Sequence, residues 1–108
     1  MGAHVLLCPD GTAATLTVDT DIDDQTRPDL ESAADALPAT VRELTLDLGP
    51  VVFVDSAVLH LIGSMQRTVE RNGGRLRVAG LAPQPLRLLR LASALWPEAR
   101  WDDYLRAC

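Results

Sequence analysis

The sequence predicts one α/β (α+β) domain, residues 1–108, with amphipathic helices packed against a mixed sheet of four to five strands. The main reason is the order of the patterns: a hairpin signal comes first, and helical and strand periodicities then alternate. A length of 108 residues fits one domain. Hydrophobic residues make up 47% and charged residues 23%, the usual balance of a globular protein. A chain of this size buries roughly 65% of its unfolded surface, so it needs neither a metal nor a disulfide to fold.

The first two elements are predicted to form an antiparallel hairpin. His4–Cys8 is typical of a short strand, and Pro9–Gly11 has the composition of a turn. Ala14–Val18 alternates moderately and is expected to pair back onto the first strand. Cys8 follows an apolar run, which predicts a buried thiol, and with Cys108 it makes too few cysteines for a disulfide framework.

A helix is predicted after an acidic loop. Thr26 lies three residues before Asp29, which approximates a capping box, and Pro28 falls in the first turn, where a missing N–H is harmless. Pro38 is expected to end the helix. Four apolar residues recur at the spacing of one helix face: Leu30, Ala33, Ala34 and Leu37.

The clearest strand is Glu43–Leu48, which alternates strictly, and Val51–Val54 continues the apolar signal after a Gly-Pro pair. Asp55 and Ser56 then open a second helix. Asn72–Gly74 stops this helix, because glycine readily adopts the left-handed conformation after a C-terminus. The buried stripe of the helix is predicted to contain Val58, Leu61, Ile62, Met65 and Val69.

The last third of the chain predicts one more strand and one more long helix. Arg75–Ala79 alternates as a strand, and Pro83 and Pro85 start a helix that ends before Pro97. A final short helix, capped by 102–103, is expected at 104–105. The broad apolar face of the long helix has Leu88, Leu91, Ala92 and Leu95. Three aromatic residues are expected to pack the C-terminal segment onto the sheet: Trp96, Trp101 and Tyr104.

Charge is divided unevenly along the chain. Residues 1–60 have eleven acidic residues and two arginines, whereas residues 61–108 have eight arginines and four acidic residues. The acidic half would repel phosphates, and the basic half has no nucleic-acid-binding motif. No apolar run approaches the ~20 residues needed to span a bilayer, and the start of the chain lacks the features of a signal peptide. We expect a cytoplasmic protein that binds neither nucleic acid nor membrane.

A metal site and a bound cofactor are not predicted. Asp19, Asp21 and Asp23 are spaced like the first ligands of an EF-hand loop. Such a loop needs Gly at its sixth position and Glu at its twelfth, where this chain has Asp24 and Leu30. The acidic run is therefore either a solvated loop or the rim of a partner contact.

A catalytic site is not predicted either. Ser56 and His60 are four residues apart and share a helix face, as a nucleophile and its base could. No third group is assignable to orient the histidine, and no oxyanion loop or nucleophile-elbow glycines are present. From the residues alone, Asp55 or Ser56 is best explained as a helix cap. The protein is accordingly not expected to be an enzyme.

Leu44–Leu48 together with Phe53–Leu59 resembles the STAS domain, the module shared by anti-sigma factor antagonists and the tails of sulphate transporters. In that family a strand ending in an apolar-Asp-apolar triplet precedes an Asp-Ser pair that opens a helix. Residues 72–80 resemble the family's next strand, and residues 85–91 resemble its third helix. Residues 21–23, followed by a threonine, resemble the acidic loop before its first helix. The resemblance extends from about Val5 to about Tyr104.

The resemblance implies an anti-sigma factor antagonist that works by partner switching. The unphosphorylated antagonist binds an anti-sigma factor that is also a Ser/Thr kinase, and the sigma factor is released. The kinase then phosphorylates the serine after the aspartate, here Ser56, and a Ser/Thr phosphatase resets the switch. The residues implied in partner binding are Asp21, Asp23, Asp55, Ser56, Val58, Leu59 and His60.

The chain departs from the family pattern directly after Ser56. The family usually has Ser or Thr and then Gly, where this chain has Ala57 and Val58, and the next family glycine is His60 here. Val58 and His60 are therefore expected to add bulk on or beside the contact surface. The alternative function is a STAS scaffold, or a subunit of a signalling or transport complex, that uses the same helix face without phosphorylation.

Overall fold

A computed structural model describes residues 2–99, 101 and 104. The short helix predicted at the C-terminus involves Asp102, Asp103 and Leu105, which lie outside the described residues, as does Cys108. The elements are β1 (Ala3–Leu7), β2 (Ala13–Val18), α1 (Arg27–Asp35), β3 (Glu43–Asp47), α2 (Ala57–Glu70), β4 (Arg75–Ala79), α3 (Pro83–Leu95) and a 3₁₀ turn (Pro97–Ala99).

The described strands form one mixed sheet in the order β1-β2-β3-β4. β1 and β2 are antiparallel, and β2, β3 and β4 are parallel to each other. Leu16 lies opposite Leu46, and Leu46 lies opposite Val78, so the three form a row across one face. All three are fully buried. The predicted mixed sheet with helices packed against it is confirmed.

The core lies between that face of the sheet and the helices. Residues from α1, α2 and α3 join the strand residues in one cluster, for example Leu30, Leu61 and Leu89. Each fully buried aliphatic side chain contributes about 1.5–3 kcal/mol relative to an exposed one. Among the described residues no polar or charged residue is buried. The apolar stripe predicted for the second helix is confirmed, since all five of its residues are buried.

Two predictions about local structure are wrong. Cys8 is exposed rather than buried, because it follows the outermost strand of the sheet. Thr26 is the N-cap residue of α1, but its side chain makes no cap hydrogen bond, so the capping box does not form. The apolar run Val51–Val54 forms no strand, and of its residues Val54 alone pairs, through one isolated bridge.

The C-terminal segment packs against the domain through two of the three predicted aromatic residues. Trp101 and Tyr104 lie against the core, with ring centroids 6.1 Å apart. The Tyr104 hydroxyl lies 3.3 Å from Gln66 Oε1 on α2. Trp96 is 49% exposed, so the prediction that it packs is wrong. Within the described part of the chain, no helix has the length and apolar character that a membrane crossing requires.

Candidate partner-binding site at the start of α2

Two loops meet immediately before α2. The Ile22 amide donates to the Phe53 carbonyl at 3.3 Å, and the Asp55 amide donates to the Ile22 carbonyl at 3.1 Å. Ile22 and Val54 form an isolated parallel bridge, and both are buried. The bridge fixes the acidic loop beside Asp55 and Ser56, the arrangement that the resemblance implied.

The acidic loop is held by its own hydrogen bonds. The Asp23 carboxylate accepts from the amides of Gln25 and Thr26 at 2.9 and 3.0 Å. The Thr26 hydroxyl donates to the Asp21 carbonyl and accepts from the Asp23 amide, both at 3.0 Å. Asp23 is half-buried, whereas Asp21 is exposed. Asp23 therefore shapes the loop, and Asp21 presents charge on its surface.

Asp55 and Ser56 have different roles at the first turn of α2. Asp55 Oδ1 accepts the Ala57 amide at 2.8 Å and so satisfies one of the first-turn amides that lack a partner within the helix. Ser56 occupies the N-cap position, but its side chain makes no cap hydrogen bond. Ser56 is exposed. The carboxylate therefore does the capping, and the hydroxyl is accessible to a second protein.

The residues after Ser56 divide between the core and the surface. Val58 is 1% exposed and belongs to the hydrophobic cluster. The prediction that it adds bulk to the contact surface is wrong, because Val58 lies on the same helix face as Leu61 and Ile62. Leu59 is partly buried against the core, and His60 is exposed. From Ala57 to His60, the exposed residue is therefore His60.

Gln84, at the start of α3, makes hydrogen bonds to the backbone of Val54 beside this site, a contact that the sequence did not predict. Its Oε1 accepts the Val54 amide and its Nε2 donates to the Val54 carbonyl, both at 2.9 Å. One side chain thus satisfies both backbone groups of the residue that precedes Asp55. The two residues are 30 positions apart in sequence, so no local pattern could have indicated the contact.

Two apolar residues beside the site are exposed, and sequence reasoning missed them as well. Val52 is 72% and Phe53 is 49% exposed, whereas Val51 and Val54 on either side are buried. The apolar signal of Val51–Val54 does not indicate which of its residues are buried. We call the exposed residues around the first turn of α2 the α2-start surface; they are Asp21, Val52, Phe53, Ser56 and His60.

The chemistry of the α2-start surface is that of a binding surface. It combines exposed apolar side chains with acidic neighbours and one accessible hydroxyl. Among the described residues, no three His, Cys, Asp or Glu side chains are grouped so that they could hold a metal ion. Apolar residues surrounded by polar ones are typical of protein interfaces.

Comparison with known proteins identifies the family and the fold. A family model described as "Mlab, STAS domain" matches residues 9–94. No curated protein matches the sequence. The structure of the anti-sigma factor antagonist SpoIIAA in its unphosphorylated form is similar, with a TM-score of 0.74 and 15% identity over 98% of this chain and 97% of that chain.

Two further antagonist structures have the same fold. An anti-sigma factor antagonist from Mycobacterium paratuberculosis has a TM-score of 0.66 and 24% identity, over 89% of this chain and 81% of that one. The STAS domain of an antisigma-factor antagonist from Rhodobacter sphaeroides has a TM-score of 0.60 and 16% identity, over 73% and 85%. At these identities the structures show a shared fold, and the family model covers most of the sequence. The chain belongs to the STAS domain family.

Proposed function

We propose that this protein is an anti-sigma factor antagonist whose binding is controlled by phosphorylation of Ser56. In the unphosphorylated form, the α2-start surface binds an anti-sigma factor of the Ser/Thr kinase type, and a sigma factor is released. The kinase then phosphorylates Ser56, the complex separates, and a Ser/Thr phosphatase restores the binding form. The observation that carries the proposal is the exposed Ser56 hydroxyl, which the helix does not use as a cap.

A phosphate fits this position chemically. The helix dipole places positive charge at the start of α2, which favours a phosphate on Ser56. The Ala57 amide donates to Asp55 Oδ1, and the next two amides donate to the carbonyls of Asp55 and Ser56 at 3.1 Å. The dipole therefore supports the phosphate, while these hydrogen bonds can stay in place.

The same phosphate would oppose binding. It adds about −1.5 to −2 charges to a surface that already has Asp21 and lies beside Asp55. It would also have to lose water when Val52 and Phe53 are covered by a partner. Placing like charges together at an interface costs several kcal/mol, enough to reverse a binding equilibrium. We therefore expect the partner to have an apolar pocket for Val52 and Phe53, surrounded by basic residues that face Asp21.

The test uses the whole chain with the kinase-type anti-sigma factors of the same genome. After incubation with ATP and Mg²⁺, we expect intact-mass measurement to show one phosphate on the wild type and none on Ser56→Ala. In calorimetry, Ser56→Asp should bind at least about tenfold more weakly, a change of about 1.4 kcal/mol. Ser32→Asp is the matched control, since Ser32 is an exposed serine on α1, and it should bind as the wild type does.

The alternative is a STAS scaffold or complex subunit that binds through the same surface without phosphorylation. Exposed His60, at a position where the family has glycine, favours it, because a bulky side chain beside Ser56 hinders a kinase. This function predicts that Phe53→Asp abolishes partner binding whereas Ser56→Asp leaves it unchanged. Absence of phosphate with every such kinase, together with that binding pattern, would contradict the phosphorylation switch.

A further inference from the structure

The two edges of the sheet differ in how they are protected. On β4, two exposed arginines flank Leu76, and Gln66 Oε1 accepts the Leu76 amide at 3.3 Å. Charged side chains and covered backbone groups are the usual means by which an edge strand avoids pairing with another chain. β1, at the opposite edge, has the sequence Ala-His-Val-Leu-Leu, with no Lys, Arg, Asp, Glu or Pro. Its apolar residues are exposed: Val5 42%, Leu6 73% and Leu7 40%.

The hydrogen bonds of the hairpin show which backbone groups of β1 point outward. The Cys8 amide donates to the Ala13 carbonyl at 2.9 Å, and the Asp19 amide donates to the Gly2 carbonyl at 2.8 Å. The amides and carbonyls of the even-numbered residues of β1 therefore point towards β2, because backbone groups along an antiparallel strand point alternately to its two neighbours. The amides and carbonyls of Ala3, Val5 and Leu7 consequently face the open edge.

We propose that this edge pairs with β1 of a second copy of the chain, antiparallel and around a two-fold axis at Val5. In that register Val5 lies opposite Val5 of the second copy, and Ala3 lies opposite its Leu7. All three outward residues then exchange hydrogen bonds in both directions. A small residue meets a large one at each end, and the exposed faces of the two valines cover each other. The two sheets join into one continuous sheet.

Symmetry favours a second copy over an unrelated strand, and β1 offers two acidic copies a contact without acidic side chains. The chain has a net charge of −5, so two copies repel each other over most of their surfaces. β1 has no Lys, Arg, Asp or Glu, and His4 lies opposite Leu6 of the second copy in this register. A two-fold contact is also self-complementary, since each copy supplies the same groups that it needs. The interface is independent of the α2-start surface and of the proposed switch.

The first test is the mass of the full chain in solution, measured by sedimentation over roughly 1 µM to 1 mM. We expect a concentration-dependent monomer–dimer equilibrium. Val5→Pro removes an outward amide and no hydrogen bond within the chain, so it should fold and weaken the dimer at least about tenfold. Leu6→Lys should do the same without changing the backbone. Leu91→Lys is the control, because Leu91 is an exposed leucine on α3, at 55%. This variant should have the same dimer dissociation constant as the wild type.

The second test fixes the register, in a background of Cys8→Ser and Cys108→Ser. Val5→Cys should form an intermolecular disulfide under mild oxidation, because hydrogen-bonded antiparallel pairs have Cα atoms about 5.5 Å apart. Leu6→Cys should not, because its counterpart lies two residues further along the second copy. A monomer throughout the concentration range would overturn the proposal and leave the edge to a strand of another protein. A folded Val5→Pro variant that still dimerises, or equal cross-linking at both positions, would also overturn it.

Discussion

Replacing Gln84 by Met tests whether the start of α2 is held from α3. The substitution keeps the length of the side chain but removes its hydrogen bonds to the amide and the carbonyl of Val54. Val54 itself is 1% exposed, so its backbone groups have little access to water. Methionine also retains most of the packing of glutamine at this half-buried position, so the measured effect belongs to the hydrogen bonds.

The expected decrease in the free energy of unfolding follows from those two hydrogen bonds. Each contributes about 1 kcal/mol net to stability, and a buried backbone group without any partner costs about 1–3 kcal/mol. Because the region is only partly buried, water would replace some of the lost bonding, and we expect a total loss of about 2 kcal/mol. For a domain of this size, that corresponds to a fall in Tm of roughly 8–16 °C.

Urea unfolding is the assay, with an unchanged m-value as the sign that the unfolded state is unaffected. Gln25→Met is the matched control, because Gln25 is exposed and its side chain makes no hydrogen bond within the described chain. The control should stay within about 0.5 kcal/mol of the wild type. If Gln84→Met falls within the same range, Gln84 does not hold Val54, and the argument that α3 supports the site is wrong.

Two further substitutions test the site and its surroundings. Asp55→Ala should destabilise the protein by about 1 kcal/mol through loss of the helix cap, whereas Asp55→Asn, which can still accept the hydrogen bond, should recover most of that loss in urea unfolding. Gly80→Ala should destabilise by more than Gly73→Ala: both have φ near +75°, costing about 1–2 kcal/mol for a side chain, but only at Gly80 would the added Cβ lie 2.8 Å from the backbone of Gly49. Equal decreases in Tm for the two variants would show that the contact between the added Cβ and the backbone of Gly49 does not destabilise the fold.

Elements with a strong hydrophobic period were predicted well. β3 and β4 alternate strictly, and their observed bounds lie within one residue of the prediction. α2 begins directly after Asp55 and Ser56, and its stripe is buried as predicted. In these elements burial on one face determines both the pattern and the structure, so the sequence carries the information directly.

The errors occur where burial depends on position in the sheet, and where helix ends depend on competing local contacts. Cys8 follows an apolar run, but β1 is an edge strand that the helices cover incompletely, so the thiol is exposed. α1 ends at Asp35, before the proline expected to end it. Thr26 has the sequence of a capping residue, but its hydroxyl bonds to the Asp21 carbonyl instead, within the turn that precedes α1. A short sequence pattern does not distinguish between these competing partners.

The site was predictable in part. The Asp-Ser pair before an amphipathic stripe marked the helix start, and the resemblance implied that the acidic loop would lie beside it. The bridge between Ile22 and Val54 brings these segments together. The contact of Gln84 with Val54 could not be predicted, because it joins segments that are distant in sequence and leaves no periodic signal. The exposure of Phe53 was hidden for a related reason, since an apolar residue in a loop resembles one in a strand.

The separation of roles between Asp55 and Ser56 bears on how the proposed switch acts. If the serine hydroxyl capped α2, adding a phosphate would first remove a hydrogen bond that stabilises the helix, and binding and folding would change together. In this structure Asp55 provides the cap. Ile22 makes hydrogen bonds to Phe53 and Asp55, and Gln84 makes them to Val54 between these two residues. In the proposed switch, a phosphate on Ser56 would therefore change the charge and hydration of this surface without removing the cap. The switch is thus expected to act on the affinity for the partner, with the fold of the antagonist the same in both states.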